Sequence, residues 1–254
     1  MKIEGQAALV TGGGSGLGAA TARTLAEQGA RVAVLDFDGD KAGMVADELN
    51  GLVLQADVAD ADAVASAFDH VVEHFGQAPR VVVNCAGIAL AARIVGKEGK
   101  TSIDLFDKVL RVNLFGTYHV MTHAARLMMT MDALEDGERG IIINTSSAAA
   151  QDGQFGQAAY AASKGGVAAM SLPAAREFAQ TGIRVMAIAP GLFNTPMMEA
   201  LPEETKAGII ANIPFPKRLG HPEEFALMVT QIVANPYLNG ELIRLDGATR
   251  LPPR

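Results

Sequence analysis

The sequence predicts an α/β protein: a doubly wound, seven-stranded parallel sheet with helices on both faces. Three observations carry this expectation. Seven short runs rich in Val, Ile and Leu recur without polar alternation, as strands buried on both faces of a parallel sheet do. Segments of helical length lie between them. No linker-like composition break divides the chain, and no internal repeat or low-complexity tract interrupts it, so residues 1–254 read as one domain.

In chain order, the first strand is "AALVTG", followed by a glycine-rich turn and the helical segment "GAATARTLAEQG". The second strand, "RVAVLDF", and the third, "GLVLQADV", each end on an acid, Asp36 and Asp57. The helical pattern "ADAVASAFDHVVEHFG" leads to the fourth strand, "RVVVNCAG". A long helical segment, "IDLFDKVLRVNLFGTYHVMTHAARLMMT", precedes the fifth, "GIIINTSS". An alanine-rich helix containing "QAAYAASKGG" separates it from the sixth, "IRVMAIAPG", and "GELIRLDG" is the seventh.

Three irregular segments interrupt this rhythm. "VGKEGKTS" (Val95 to Ser102) leaves the fourth strand, and "LFNTPMMEALPEETKAGIIANIPFPKRLG" leaves the sixth. Ligands of open α/β sheets bind outside the carboxyl ends of strands, so both segments are placed for binding. The Met/Phe-rich part from Phe193 to Phe215 reads as a lid over a substrate or as a helical cap that only packs on the sheet. The acidic "MDALEDGERG" enters the fifth strand at its other end.

Composition excludes several function classes. The net charge of −7 disfavours nucleic acid and anionic membranes as partners. No apolar run reaches the roughly 18 residues of a membrane span. The single cysteine, Cys85, allows no internal disulfide and suits a reducing compartment. The N-terminus runs almost directly into a strand, with no room for a signal peptide. The expected location is the cytoplasm, or the mitochondrial matrix of a eukaryote once a transit peptide is removed. The five histidines show no metal-ligand spacing, and the pair His119 and His123 reads as structural.

The turn "TGGGSGLG" places Gly12, Gly16 and Gly18 between a strand and a helix. Glycines there admit a pyrophosphate close to the backbone, and the helix N-terminus presents N–H groups and positive dipole to it. Asp36 ends the next strand, where a carboxylate accepts both adenosine ribose hydroxyls and repels a 2′-phosphate. Its neighbour is Phe37, and the loop carries Ser15 instead of a basic residue, so the expected cofactor is NAD. Asp57 reads equally as a hydrogen-bond acceptor for the adenine amino group and as a helix N-cap.

Tyr160 and Lys164 stand four residues apart, hence on one helix face. A nearby ammonium favours phenolate, which would bring a tyrosine from its usual pKa near 10 toward a working pH. Lys164 also suits the nicotinamide ribose.

The glycine spacing T-G-x-x-x-G-x-G, "NCAG" at Asn84 to Gly87, "RVNLFG" around Asn113, "INTSS", Y-x-x-x-K and "APG" at Ala189 to Gly191 occur in order along essentially the whole chain. In this set the chain resembles the short-chain dehydrogenase/reductase family and its Rossmann fold. Cys85 is a departure, standing where many members carry asparagine. The resemblance implies that Ser147, thirteen residues before the tyrosine, is the catalytic serine, with Ser146 structural. It implies that Asn113 bends its helix and anchors a proton-relay water; a satisfied buried amide is the other reading, and the two are compatible. It extends the cofactor site to Leu17, Val58, Asn84, Ala86, Gly87, Pro190, Gly191 and Phe193, with Thr195 toward the carboxamide. Gln154 and Gln157 would face substrate, and a homotetramer built partly through the Tyr160 helix is expected.

Longer stretches, among them "QDGQFGQAAYAASKGGVAAMS" and "IPFPKRLGHPEEFA", resemble the type-2 3-hydroxyacyl-CoA dehydrogenase group of that family. The implied reaction is NAD-dependent hydride transfer at the 3-hydroxyl or 3-keto group of short or branched acyl-CoA thioesters. Lys97 and Lys100 then read either as contacts to coenzyme A phosphates or as a solvated loop. A hydroxysteroid or general secondary-alcohol dehydrogenase and a catalytically idle scaffold are the competing readings; the intact Ser147, Tyr160 and Lys164 argue against the last.

Overall fold

The computed structural model describes residues 1–199 and 202–253. Seven parallel strands form one sheet in the order β3-β2-β1-β4-β5-β6-β7. They are β1 (Ala7–Thr11), β2 (Arg31–Asp36), β3 (Leu52–Gln55), β4 (Val81–Asn84), β5 (Gly140–Thr145), β6 (Ile183–Pro190) and β7 (Leu242–Leu245). Every expected strand forms. The chain leaves β1 toward one edge, then returns to its other side at β4, opening a crevice beyond the carboxyl ends of these neighbours.

β1, β4, β5 and β6 are buried along their full lengths, which is why their sequences do not alternate. Within β1 the pleat sends Ala8 and Val10 into one core and Leu9 into the other. The first core lies under α1 (Gly16–Glu27), α2 (Gly39–Leu49) and α10 (Pro222–Ala234). The second lies under α3 (Ala61–Phe75), α5 (Gly116–Met128) and α7 (Ala158–Phe178). α3 illustrates the local logic. Val64, Ala67, Phe68 and Val71 repeat at helical spacing and are buried. Asp60 accepts from the N–H groups of Asp62 and Ala63 as N-cap, worth about 1 kcal/mol, and Gly76 ends the helix at φ 68°.

The long helical segment of the sequence divides into α4 (Ile103–Leu110), a π-helical turn (Arg111–Phe115) and α5. The widened turn falls on Asn113, whose carbonyl accepts from the Thr117 hydroxyl at 2.7 Å. α6 (Ala149–Asp152) follows β5, and α8 (Pro196–Glu199) and α9 (Glu203–Ala211) follow β6. The segment read as a lid therefore folds as short helices; its Ala200 and Leu201 lie outside the described residues. The acidic loop before β5 is more than surface. Glu138 is 7% exposed and pairs with Arg184 at 2.8 Å and with the N-terminal amine at 3.0 Å. Among the described residues no helix is long and apolar enough to cross a membrane.

Candidate active site

A cleft of about 800 Å³ opens at the carboxyl ends of the central strands. The glycine turn forms its floor. Gly12 has φ 62°, and a Cβ there would come within 2.7 Å of the Ala86 backbone nitrogen. A Cβ on Gly18 would collide with the Gly12 carbonyl, so the turn and helix pack only without side chains. Ser15, Gly16, Leu17 and Gly18 line the cleft at the start of α1, and the Ser15 side chain caps none of the helix N–H groups. A turn whose Gly12 and Gly18 admit no Cβ, at the uncapped N-terminus of α1, fits a pyrophosphate.

Asp36 faces the same cleft. Its carboxylate accepts from the N–H of Gly14 and of Asp38, both at 3.0 Å, which fixes its orientation. Phe37 is 73% exposed at the rim. Asp57 also lines the cleft, accepting from Ala59 N–H at 2.9 Å, while Asp60 caps α3. The N-cap alternative for Asp57 therefore falls away. Val58 supports this wall and meets His119 through its carbonyl.

The opposite end of the cleft holds the hydroxyl groups. Ser147, after β5, accepts from Ala149 N–H at 3.1 Å and shares a hydrogen bond with Tyr160. Ser146 points away and donates to the Lys164 carbonyl at 2.8 Å. Lys164 is 4% exposed; its Nζ donates to the Thr145 carbonyl at 2.7 Å and lies 5.9 Å from the Tyr160 ring centroid. Burial brings the Lys164 pKa down to about 8. Ala86, Gly87, Pro190, Gly191, Phe193, Thr195, Gln154 and Gln157 complete the predicted lining.

Two expectations, for Asn84 and Tyr160, are corrected; the bend expected at Asn113 is present as the π-helical turn, and Lys97 and Lys100 keep both of their readings. Asn84 does not line the cleft: it is 3% exposed and donates to the Asn144 side chain at 2.9 Å between adjacent strands. Asn113 lies behind the lining. Its amide clamps Ile88, accepting from the Ile88 N–H at 2.8 Å and donating to its carbonyl at 2.9 Å, so it braces the loop after β4. Tyr160 is not brought down in pKa by the protein's own groups; burial raises it, against the Ser147 hydrogen bond. Lys97 and Lys100 are exposed in a turn bridged by Val95 and Thr101 and line no part of the cleft.

A family model described as short chain dehydrogenase matches residues 6–206. The chain belongs to the short-chain dehydrogenase family. It is 46% identical to 3-hydroxyacyl-CoA dehydrogenase type-2 of Drosophila melanogaster, over 99% of this chain and all of that protein. It is 47% identical to the Homo sapiens protein of the same name, over 99% and 97%. The crystal structure of 3-hydroxyacyl-CoA dehydrogenase type-2 from Mycobacterium avium superposes with a TM-score of 0.92 at 41% identity, covering 98% of both chains. As a short-chain dehydrogenase the chain is an oxidoreductase that uses a nicotinamide cofactor.

This short-chain dehydrogenase has lining residues that the sequence reading missed. Lys108 on α4 and Val112 in the π-helical turn reach the cleft four residues apart, a spacing that was there to be read. Leu251 arrives from the C-terminal tail, and nothing local in the sequence announces it. Cys85 lines the cleft too, but burial raises its thiol pKa to about 11, so it is no nucleophile. Among the described residues no His, Cys, Asp and Glu cluster is arranged to hold a metal.

Proposed function

We propose that this short-chain dehydrogenase moves hydride between NAD(H) and the 3-hydroxyl or 3-keto carbon of short or branched acyl-CoA thioesters. One observation carries the reading: the Ser147–Tyr160 hydroxyl pair stands in the cleft of a chain similar over its full length to 3-hydroxyacyl-CoA dehydrogenases. The preference for NAD rests on Asp36. Its oriented carboxylate has acceptor capacity left for ribose hydroxyls and would repel a 2′-phosphate.

The chain's own residues do the following. Gly12 and Gly18 let the turn pack against the Ala86 backbone and the start of α1, and Gly16 supplies a positive φ, which together shape the floor where a pyrophosphate would lie. Ser147 Oγ and Tyr160 Oη hold the substrate oxygen between two hydroxyls. In oxidation, Tyr160 Oη takes the hydroxyl proton; in reduction it returns it to the same oxygen. A nicotinamide cofactor, when bound in this cleft, would supply the hydride acceptor and, in its oxidised form, a positive charge that favours phenolate. Lys164, held by the Thr145 carbonyl beside the Tyr160 ring, is placed to meet the nicotinamide ribose. Asn113 acts through the Ile88 backbone it clamps, positioning the cleft wall. A homotetramer suits the exposed Phe115, Tyr118 and Leu172, which subunit contact would bury; solution mass tests it.

The decisive experiment is specific activity across acetoacetyl-CoA, branched 3-ketoacyl-CoA, steroid ketones and simple ketones with NADH. The thioesters are expected to give the highest kcat/KM. Steroids or simple ketones at least tenfold better would overturn the acyl-CoA assignment.

A further inference from the structure

The C-terminal tail turns back after β7 and is fastened by one buried charge network. Arg244, on β7, donates from both terminal nitrogens to Asp152 at 2.9 Å and from Nε to Asp246 at 2.7 Å. It donates further to Gln151 Oε1 at 2.7 Å and to the Thr249 carbonyl at 3.1 Å. The side chains of Arg244, Asp152 and Asp246 are 17%, 7% and 7% exposed. Planar, bidentate pairing of this kind fixes direction as well as charge.

Two elements distant in sequence meet here. Asp152 ends α6, the short helix that begins two residues after Ser147. The same Asp152 carboxylate that receives Arg244 also accepts the Leu251 N–H at 3.0 Å. Gln154 donates to the Pro252 carbonyl at 3.0 Å, and Phe155 N–H donates to the Pro253 carbonyl at 3.0 Å. The tail is thus stitched residue by residue to the segment between Ser147 and Tyr160, with Gly247 and Ala248 reversing the chain at φ 58° and 62°. Leu251 emerges into the cleft together with Gln154 and Gln157.

We infer that Leu251 is a specificity-determining wall of the substrate pocket that limits acyl length, and that Asp152 and Arg244 are positioning residues that hold it there. The inference rests on the proposed acyl thioester reading only for the identity of the chain being measured. Arg244 and Asp152 have no reacting atom to touch; they act by fixing Leu251 and the tail that the Gln154 side chain meets. An apolar wall discriminates by methylene units, at about 10-fold or more per misfit group.

The test compares 3-ketoacyl-CoA substrates from four to twelve carbons with a parallel series of methyl ketones of increasing alkyl length, both with NADH. Leu251→Ala is expected to raise kcat/KM on the longer substrates about tenfold relative to the shortest; Leu251→Trp is expected to lower that ratio. Asp152→Asn keeps the side chain's shape and removes its charge. It is expected to flatten the length profile through KM while NADH affinity stays at the wild-type value, which a merely structural loss would not do. Length profiles indistinguishable from wild type in both folded Leu251 variants would overturn the wall. A wild-type profile in folded Asp152→Asn would overturn the positioning role. If the wild type rejects every thioester yet reduces the ketones, the acyl-CoA reading fails, and the wall is judged on the ketone series by the same criteria.

Discussion

Lys164 Nζ lies 5.9 Å from the Tyr160 ring centroid and spends a hydrogen bond on the Thr145 carbonyl, not on the phenol. The lysine is therefore held by β5 and stands beside the tyrosine ring. Tyr160→Phe removes one hydroxyl and none of these contacts. Turnover on the best substrate is expected to fall about 10²–10⁴-fold, as for a general acid/base, with NADH affinity retained. Steady-state rates beside NADH fluorescence titration check both halves. Near wild-type turnover, or an equal loss of NADH binding, would remove Tyr160 from its role.

The same geometry sets a titration. Burial raises the Tyr160 pKa, so without cofactor the phenol should lose its proton above the ordinary tyrosine value. The cation of NAD⁺ should bring it down, and oxidation rates should then rise with pH through an apparent value below that of free tyrosine. The chain has three tyrosines and no tryptophan, so the tyrosinate absorbance lost in Tyr160→Phe isolates this group. Absence of any NAD⁺-induced decrease would contradict it.

Lys164 affects stability as well as chemistry. Its folded pKa, about 8, lies below the ordinary 10.5 because burial disfavours the ammonium. Between these values the unfolded chain binds more protons than the folded one. The contribution of Lys164 to stability therefore rises with pH across that window and is at its worst below it. The full difference is about 3 kcal/mol. Lys164→Met should lose this rise, as denaturant midpoints at pH 7, 8, 9 and 10 would reveal. It should also weaken NADH binding and turnover together.

Cofactor choice is expected to follow Asp36. Wild-type kcat/KM with NADH should exceed that with NADPH by at least 100-fold, about 3 kcal/mol of repulsion and lost hydrogen bonds. Asp36→Ala with Phe37→Arg should move the preference toward NADPH, since the exposed Phe37 rim position can present a cation. Equal use of both cofactors by the wild type would defeat this assignment.

Lys97 and Lys100 are solvent-exposed outside the cleft, so only a part of the ligand that extends beyond it can meet them. Replacing both by alanine is expected to raise KM for acetoacetyl-CoA severalfold and weaken its salt dependence, as loss of exposed charge contacts does. A truncated thioester without the nucleotide should be unaffected. Equal effects on both would return the turn to a solvated loop.

The sequence by itself determined the strands, the glycine turn, Asp36 and the Tyr160–Lys164 face, because each is written locally. Buried parallel strands show as unbroken apolar runs, a backbone needing φ near 62° at Gly12 shows as glycine, and four residues make one helix turn. Tertiary structure alone decided the rest. Asn84 turned from the cleft to Asn144, sixty residues away, because a buried amide between strands needs a partner. Asn113 spends its amide on Ile88 for the same reason. Leu251 enters the cleft because Asp152, ninety-nine residues earlier, holds its backbone. The direction of the Tyr160 shift depends on how much water the packed chain excludes, a quantity no spacing of residues encodes.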